Sequence, residues 1–255
     1  MHKKEEHTTH FGYKTVERNE KQKLVGDVFK SVASKYDIMN DVMSFGLHRI
    51  WKDIMVNNHI PLYKNAKILD LAGGTGDITF RMLKKADRAG YDVAITLSDI
   101  NEAMLAEGKN RAFDKNLAGR IETKIVNAEE IPFPDNSFDI VTIAFGIRNV
   151  TDIPKVLSEV HRVLKPGGKF ICLEFSNVDS RTLGKIYDVY SFKFIPKFGK
   201  LVANDADSYE YLVESIRKFP DADTFRSMIT EAGLKKADYT KLNFGVVAIH
   251  SGWKI

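Results

Sequence analysis

From residue 66 onward, short apolar runs alternate with segments whose apolar residues recur at helical spacing. Residues 67–71, 93–98, 120–126, 138–145 and 168–175 predict five strands. The clearest helix between them carries Ile153, Val156, Leu157, Val160, Val163 and Leu164 on one stripe. Strands alternating with amphipathic helices imply an α/β fold with a parallel sheet covered on both faces. Right-handed crossovers leave a doubly wound sheet as the simplest topology. Residues 20–60 also read as helical, with Val25, Val28, Phe29, Val32 and Tyr36 on one face and no proline before Pro61. At the other end, 224–232 predicts a helix ending at Gly233, and 237–242 and 246–249 predict two closing strands joined across Asn243, Phe244 and Gly245. Residues 1–19 lack periodicity and are expected to form a mobile tail. The expected organisation is thus a tail over 1–19, a helical cap over 20–60 and a sheet domain over 61–255.

Composition narrows the class. The chain has 255 residues, 44% hydrophobic and 28% charged, the balance of a soluble globular protein. Lys and Arg total 38 against 34 for Asp and Glu, and the resulting +4 is spread along the chain, too weak a signal for nucleic-acid binding. A single cysteine, Cys172, precludes an intrachain disulfide and a Cys-based metal cage, and its place in a strand pattern marks it as core. No secretory leader and no run of about 18 apolar residues is present, so a cytoplasmic location is expected.

Candidate chemistry begins where the strand at 67–71 runs into Ala72-Gly-Gly-Thr-Gly-Asp77 and then a helix. Glycines allow a tight turn and close approach of a ligand, and the helix N-terminus supplies free N–H donors, so the turn suits a phosphate or a nucleoside. Asp99 ends the second strand, twenty-three residues beyond Gly76, the spacing at which an acidic residue meets ribose hydroxyls. Its alternative role is an N-cap for the helix beginning near Glu102. A dinucleotide turn would carry a third glycine at Thr79, and Asp77 sets negative charge where a diphosphate would lie. A carboxylate there tolerates an ammonium or sulfonium group, which favours S-adenosylmethionine over NAD.

Asp70–Gly76 resembles motif I of the class I S-adenosylmethionine-dependent methyltransferases, whose fold is a Rossmann-like seven-stranded sheet with helices on both faces. The segments 131–139 and 162–168 resemble that family's fourth-strand motif and the turn before its fifth strand. More narrowly, 8–13, 32–37, 40–46, 71–77, 145–150 and 201–209 resemble the UbiE-type C-methyltransferases of ubiquinone and menaquinone synthesis. The resemblance implies methyl transfer from S-adenosylmethionine to a ring carbon of a polyprenyl-methoxy-benzoquinol, a demethylmenaquinol or both. It implies cofactor contacts from Asp70, Gly74, Thr75, Gly76, Asp99, Asn127 and Ala128, and no metal. Ala72 replaces the usual first glycine, which implies negative φ there, and Ala144 stands where some members carry a serine.

Arg148 and Asn149, at the end of the fourth strand, are the catalytic candidates. Arginine is a poor proton acceptor, so Arg148 is expected to stabilise a quinol oxyanion or orient a water. The competing reading is an ion pair with Asp152. Tyr36 is a candidate substrate contact and His48 another, Glu174 could face the site, and His161 should complement a helix C-terminus as a cation. Residues 185–202 interleave aromatics with lysines, suiting a peripheral membrane contact, a tunnel for a polyprenyl tail or a core helix with a solvated lysine face. A homodimer or a quinone-synthesis complex fits as partner. Two rivals stay open: a methyltransferase for another lipidic acceptor, and a non-catalytic adenosyl-binding subunit of such an assembly.

Overall fold

The computed structural model describes residues 8–32, 38, 40–41, 44–176 and 206–255; Tyr36 and 185–202 lie outside them. Two short strands, β1 (Thr8–Phe11) and β2 (Lys14–Glu17), pair as an antiparallel hairpin that leads into α1 (Arg18–Val32). Strands therefore occupy 8–17, where the sequence shows no periodicity. Four-residue strands leave too little alternation to read, and it is the stacking of Phe11 on Tyr211 at 4.1 Å that seats the hairpin. Next come α2 (His48–Ile54) and a π-helical turn, Met55–His59.

The main sheet has seven strands, as the resemblance implied. They are β3 (Lys67–Asp70), β4 (Ala94–Asp99), β5 (Ile121–Ile125), β6 (Phe138–Ala144), β7 (Leu164–Phe175), β8 (Lys235–Leu242) and β9 (Val247–Trp253), in the order β5-β4-β3-β6-β7-β9-β8. The first five are parallel, and β9 runs antiparallel to both β7 and β8. The helices are α3 (Asp77–Ala89), α4 (Glu102–Asp114), α5 (Ile153–Val163), α6 (Ala206–Lys218) and α7 (Ala222–Glu231). Strand side chains alternate between two cores. Ile68, Ile140 and Ile171 pack with Trp51, Met82 and Tyr209 on one face. Leu69, Val141 and Cys172 pack with Val160, Phe225 and Ile229 on the other. Cys172 is fully buried, as a core residue should be.

Pro166 and its glycines do not form a separate turn. Strand β7 starts directly at Leu164, and Gly167 and Gly168 exchange backbone bonds with Lys254. His161 does stand in the last turn of α5, but burial and the nearby Lys254 and Lys235 lower its pKa, so it is a poor candidate for a dipole-complementing cation. Among the described residues no helix is long and apolar enough to cross a membrane.

Candidate active site

The C-terminal edges of β3, β4 and β6 open onto a cleft of about 1060 Å³, part of it open to solvent. In open α/β sheets, ligands bind in the crevice outside the carboxyl ends of the strands. The turn after β3 forms its floor. Gly73 donates to Ser98 O at 2.8 Å and Gly74 donates to Asp99 Oδ2 at 2.9 Å, tying the turn to β4. Gly73 is demanded by crowding from the protein itself, since a Cβ there would meet Leu97 at 2.5 Å and Asp70 Oδ2 at 2.9 Å. Ala72 has φ +51°, which overturns the expectation of negative φ. The chain must reverse here to carry Gly73 to Ser98, and that tertiary demand overrides the preference of an L-residue, at a cost on the order of 1 kcal/mol.

Most of the expected cofactor residues converge on this cleft. Asp70, Gly74, Thr75, Asp99, Asn127 and Ala128 all line it; Gly76 does not. Gly76 instead takes φ +82° as the N-cap of α3, with the ring of Phe80 packed where a Cβ would stand. Asp70 is completely buried, and its oxygens accept from Thr142 Oγ1 at 2.9 Å and Thr79 Oγ1 at 2.7 Å. Burial raises its pKa to about 6, with the two threonine bonds opposing. Its carboxylate thus ties the start of α3 to β6. Thr75 Oγ1 accepts from Arg111 Nη1 at 2.8 Å.

Asp99 is not the cap of α4. That role belongs to Asn101, whose Oδ1 accepts from the Ala103 and Met104 amides. Asp99 instead takes Gly74 N on one oxygen and Asn101 N on the other, each at 2.9 Å. A carboxylate offers about four lone-pair positions, so capacity remains for the two hydroxyls of a diol. Desolvation raises its pKa to about 6 against the pull of the backbone amides. Asn127 Oδ1 is held by Glu129 N at 3.0 Å, a turn contact that coexists with its place in the cleft wall. Ribose at Asp99 and a base at Asn127–Ala128 follow the order of the strands, so these residues fit a nucleoside.

Asp77 is not a bare negative charge. Burial pushes its pKa up, but Lys52 Nζ at 2.8 Å and Arg81 Nε at 3.0 Å outweigh that and hold it at about 2. The repulsion of a diphosphate expected from the sequence is therefore largely cancelled, and the choice of nucleotide rests on the missing third glycine instead.

Arg148 does not line this cleft, and its ion pair is with Glu174 rather than with the expected Asp152. Its guanidinium is 4% exposed and donates to Glu174 Oε1 at 2.8 Å, Phe145 O at 2.6 Å and Ser215 Oγ at 3.3 Å. Asp152, its expected ion-pair partner, binds Arg18 instead and caps α5. Residues 26 apart in sequence meet here because β6 and β7 are neighbours, which local spacing cannot reveal. Asn149 does line the cleft, and its Oδ1 accepts from the Tyr211 hydroxyl at 3.0 Å. Glu174 is fully buried as the partner of Arg148. His48 is also buried, with Nε2 2.8 Å from Asp41 Oδ1, and it does not line the cleft.

Sequence reading missed the roof and one wall. Gln22, Val25, Gly26 and Phe29 place α1 across the cleft, and Lys52 enters from α2. The Val25–Phe29 spacing was visible but reads equally well as core. Among the described residues, no group of three His, Cys, Asp or Glu side chains is placed to hold a metal.

Residues 15–254 match the model of the ubiE/COQ5 methyltransferase family. A ubiquinone/menaquinone biosynthesis C-methyltransferase UbiE from Rickettsia bellii is 54% identical over 97% of this chain and 99% of its own length. The protein of that name from Brucella abortus is also 54% identical, over 96% of this chain and 90% of its own length. A Thermotoga maritima S-adenosylmethionine-dependent methyltransferase, described as a possible histamine N-methyltransferase, superposes with a TM-score of 0.63 at 17% identity, covering 91% of this chain and all of that one. At that identity the likeness speaks for the fold.

Proposed function

The chain belongs to the ubiE/COQ5 methyltransferase family, and from that premise we infer that it moves a methyl group from S-adenosylmethionine to a ring carbon of a quinol. It is an S-adenosylmethionine-dependent C-methyltransferase of ubiquinone and menaquinone biosynthesis, with a polyprenyl-methoxy-benzoquinol, a demethylmenaquinol or both as acceptor. The observation that carries the reading is Asp99: a carboxylate braced by two amides at the rim of the cleft, with acceptor capacity left for a ribose diol.

The sulfonium supplies an electrophilic methyl; the protein must orient the acceptor and favour its ionised form. In-line attack needs the ring carbon about 3–3.5 Å from the methyl. A phenol titrates near pH ~10, so a donor at the developing oxyanion accelerates the step. Asn149 is assigned that role. Tyr211 fixes its carbonyl oxygen, and its Nδ2 is 3.5 Å from Phe145 O, too long for a strong bond, which leaves that donor for a quinol oxygen. Arg148 acts behind it as a positioning residue, holding Phe145 O and Glu174 beneath the loop that carries Asn149. Peripheral membrane contact through 185–202, a substrate contact from Tyr36, a homodimer or quinone-synthesis complex and a cytoplasmic location belong to the same reading.

Purified protein with radiolabelled cofactor and a short-chain methoxy-benzoquinol or demethylmenaquinol tests it. Label should pass into the quinol. A protein that binds the cofactor and turns over neither acceptor would instead be an adenosyl-binding subunit or a methyltransferase for a different acceptor.

A further inference from the structure

The strand order sets out the cleft as a sequence of subsites. Asn127 follows β5, Asp99 ends β4, the glycine turn follows β3, and Phe145–Asn149 follows β6. With the base at Asn127 and the ribose at Asp99, the amino-acid end of the cofactor must continue past Asp99 to the turn after β3. Two ionised side chains line the cleft there, Asp77 from the first turn of α3 and Lys52 from α2. The residue Lys52 is only 4% exposed, with Nζ 2.8 Å from Asp77 Oδ2 and 6.0 Å from the Phe145 ring centroid.

A buried lysine is costly unless a partner needs it. Asp77 has a second cation, because Arg81 Nε holds its other oxygen at 3.0 Å and Arg81 is in turn paired with Asp53. Lys52, Arg81, Asp77 and Asp53 together sum to zero charge. A group entering without net charge, one anion and one cation side by side, leaves that balance intact. The α-carboxylate and α-ammonium of an amino acid are such a group.

We propose that Lys52 and Asp77 are the receptor for the amino-acid end of S-adenosylmethionine, exchanging their mutual ion pair for one with the ligand. The Lys52 ammonium turns to the α-carboxylate, and the Asp77 Oδ2 position it leaves accepts the α-ammonium. Arg81 keeps Asp77 in place throughout. The pair thereby selects a nucleoside bearing a free amino acid over one lacking it, and it fixes the sulfonium along the line from Asp99 to Phe145. This rests on the reading that the cleft holds S-adenosylmethionine.

Calorimetry with two ligands separates the possibilities. S-adenosylhomocysteine carries the amino acid; methylthioadenosine shares the base, the ribose and the sulfur and lacks it. Lys52→Met should weaken S-adenosylhomocysteine at least about tenfold, the scale of a lost charge-assisted bond, while methylthioadenosine changes less than about threefold. Equal losses for both ligands, or no loss for either, would overturn the assignment. Should Lys52→Met fail to fold, the wild-type protein gives the answer with decarboxylated S-adenosylmethionine, which should bind at least about tenfold more weakly than the intact cofactor; equal affinities would overturn it. Wild-type protein that binds none of these ligands would instead refute the cleft's assignment to the cofactor.

Discussion

Two backbone amides hold Asp99 and leave it acceptor capacity for a diol, so its removal should cost the ligand more than the fold. Asp99→Ala should weaken cofactor binding by about 1.5–3 kcal/mol, roughly 10- to 150-fold in a calorimetric Kd. Unchanged affinity would return Asp99 to bracing the glycine turn. Arg148 gives the opposite case. Arg148→Met strands the Glu174 carboxylate at full burial, where desolvation already drives its pKa up, and should destabilise the protein by about 3–5 kcal/mol. Pairing it with Glu174→Leu should recover most of that loss in urea unfolding; a double variant as unstable as the single one would show that the charge is not the cause. Local spacing announced Asp99, because the distance from turn to strand end is fixed by the βαβ unit. It could not announce the Arg148–Glu174 pair, which exists only once β6 and β7 lie side by side, or the positive φ of Ala72, which the bond from Gly73 to Ser98 imposes.

Helix α1 works as a strap. Its Gly26 carbonyl receives Asn101 Nδ2 at 3.1 Å on one side of the cleft, and Lys21 Nζ donates to Val150 O at 2.7 Å on the other. Asn101 therefore has two tasks, capping α4 and holding the strap, and substitution separates them. Asn101→Ala should cost about 1 kcal/mol, roughly 2–4 °C in Tm. Asn101→Ser keeps a cap, so Tm should hold, while the lost bond to Gly26 speeds cofactor release in stopped-flow measurements. Equal release rates for Asn101→Ser and wild type would mean that α1 is held by other contacts. The elements themselves were legible wherever burial imposes a period: all five parallel strands and the α5 stripe follow from alternating cores on the two faces of the sheet. The β1–β2 hairpin was not, because its strands are only four residues long and none of their side chains is fully buried. The bearing of α1 was not, because an apolar stripe that roofs a cleft has the same spacing as one that fills a core.

Across the whole molecule, acid should act in two separable ways. Asp70 and Asp99 have pKa values raised to about 6 from 3.8, so the folded protein without cofactor binds extra protons between about pH 6 and 4 and gains stability from them as pH falls. Asp41 and Asp77 are held at about 2, so their contribution is present above about pH 4 and is lost as pH falls toward 2. Burial lowers the pKa of His250 to about 4, so it costs stability as pH falls through the same window and offsets that gain. Cofactor affinity should follow Asp99 and decline below about pH 6, while Tm holds until about pH 4. A Tm that drops together with affinity at pH 6 would contradict this separation. On the proposed assignment, base, ribose, amino acid and acceptor would follow the order of β5, β4, β3 and β6, and the central claim is that this line ends in transfer to carbon. Its most direct test uses cofactor labelled with carbon-13 in the methyl group and a short-chain methoxy-benzoquinol, followed by NMR of the product. The account predicts a new aryl-methyl carbon on the ring; a labelled methoxy carbon, or no labelled quinol at all, would contradict it.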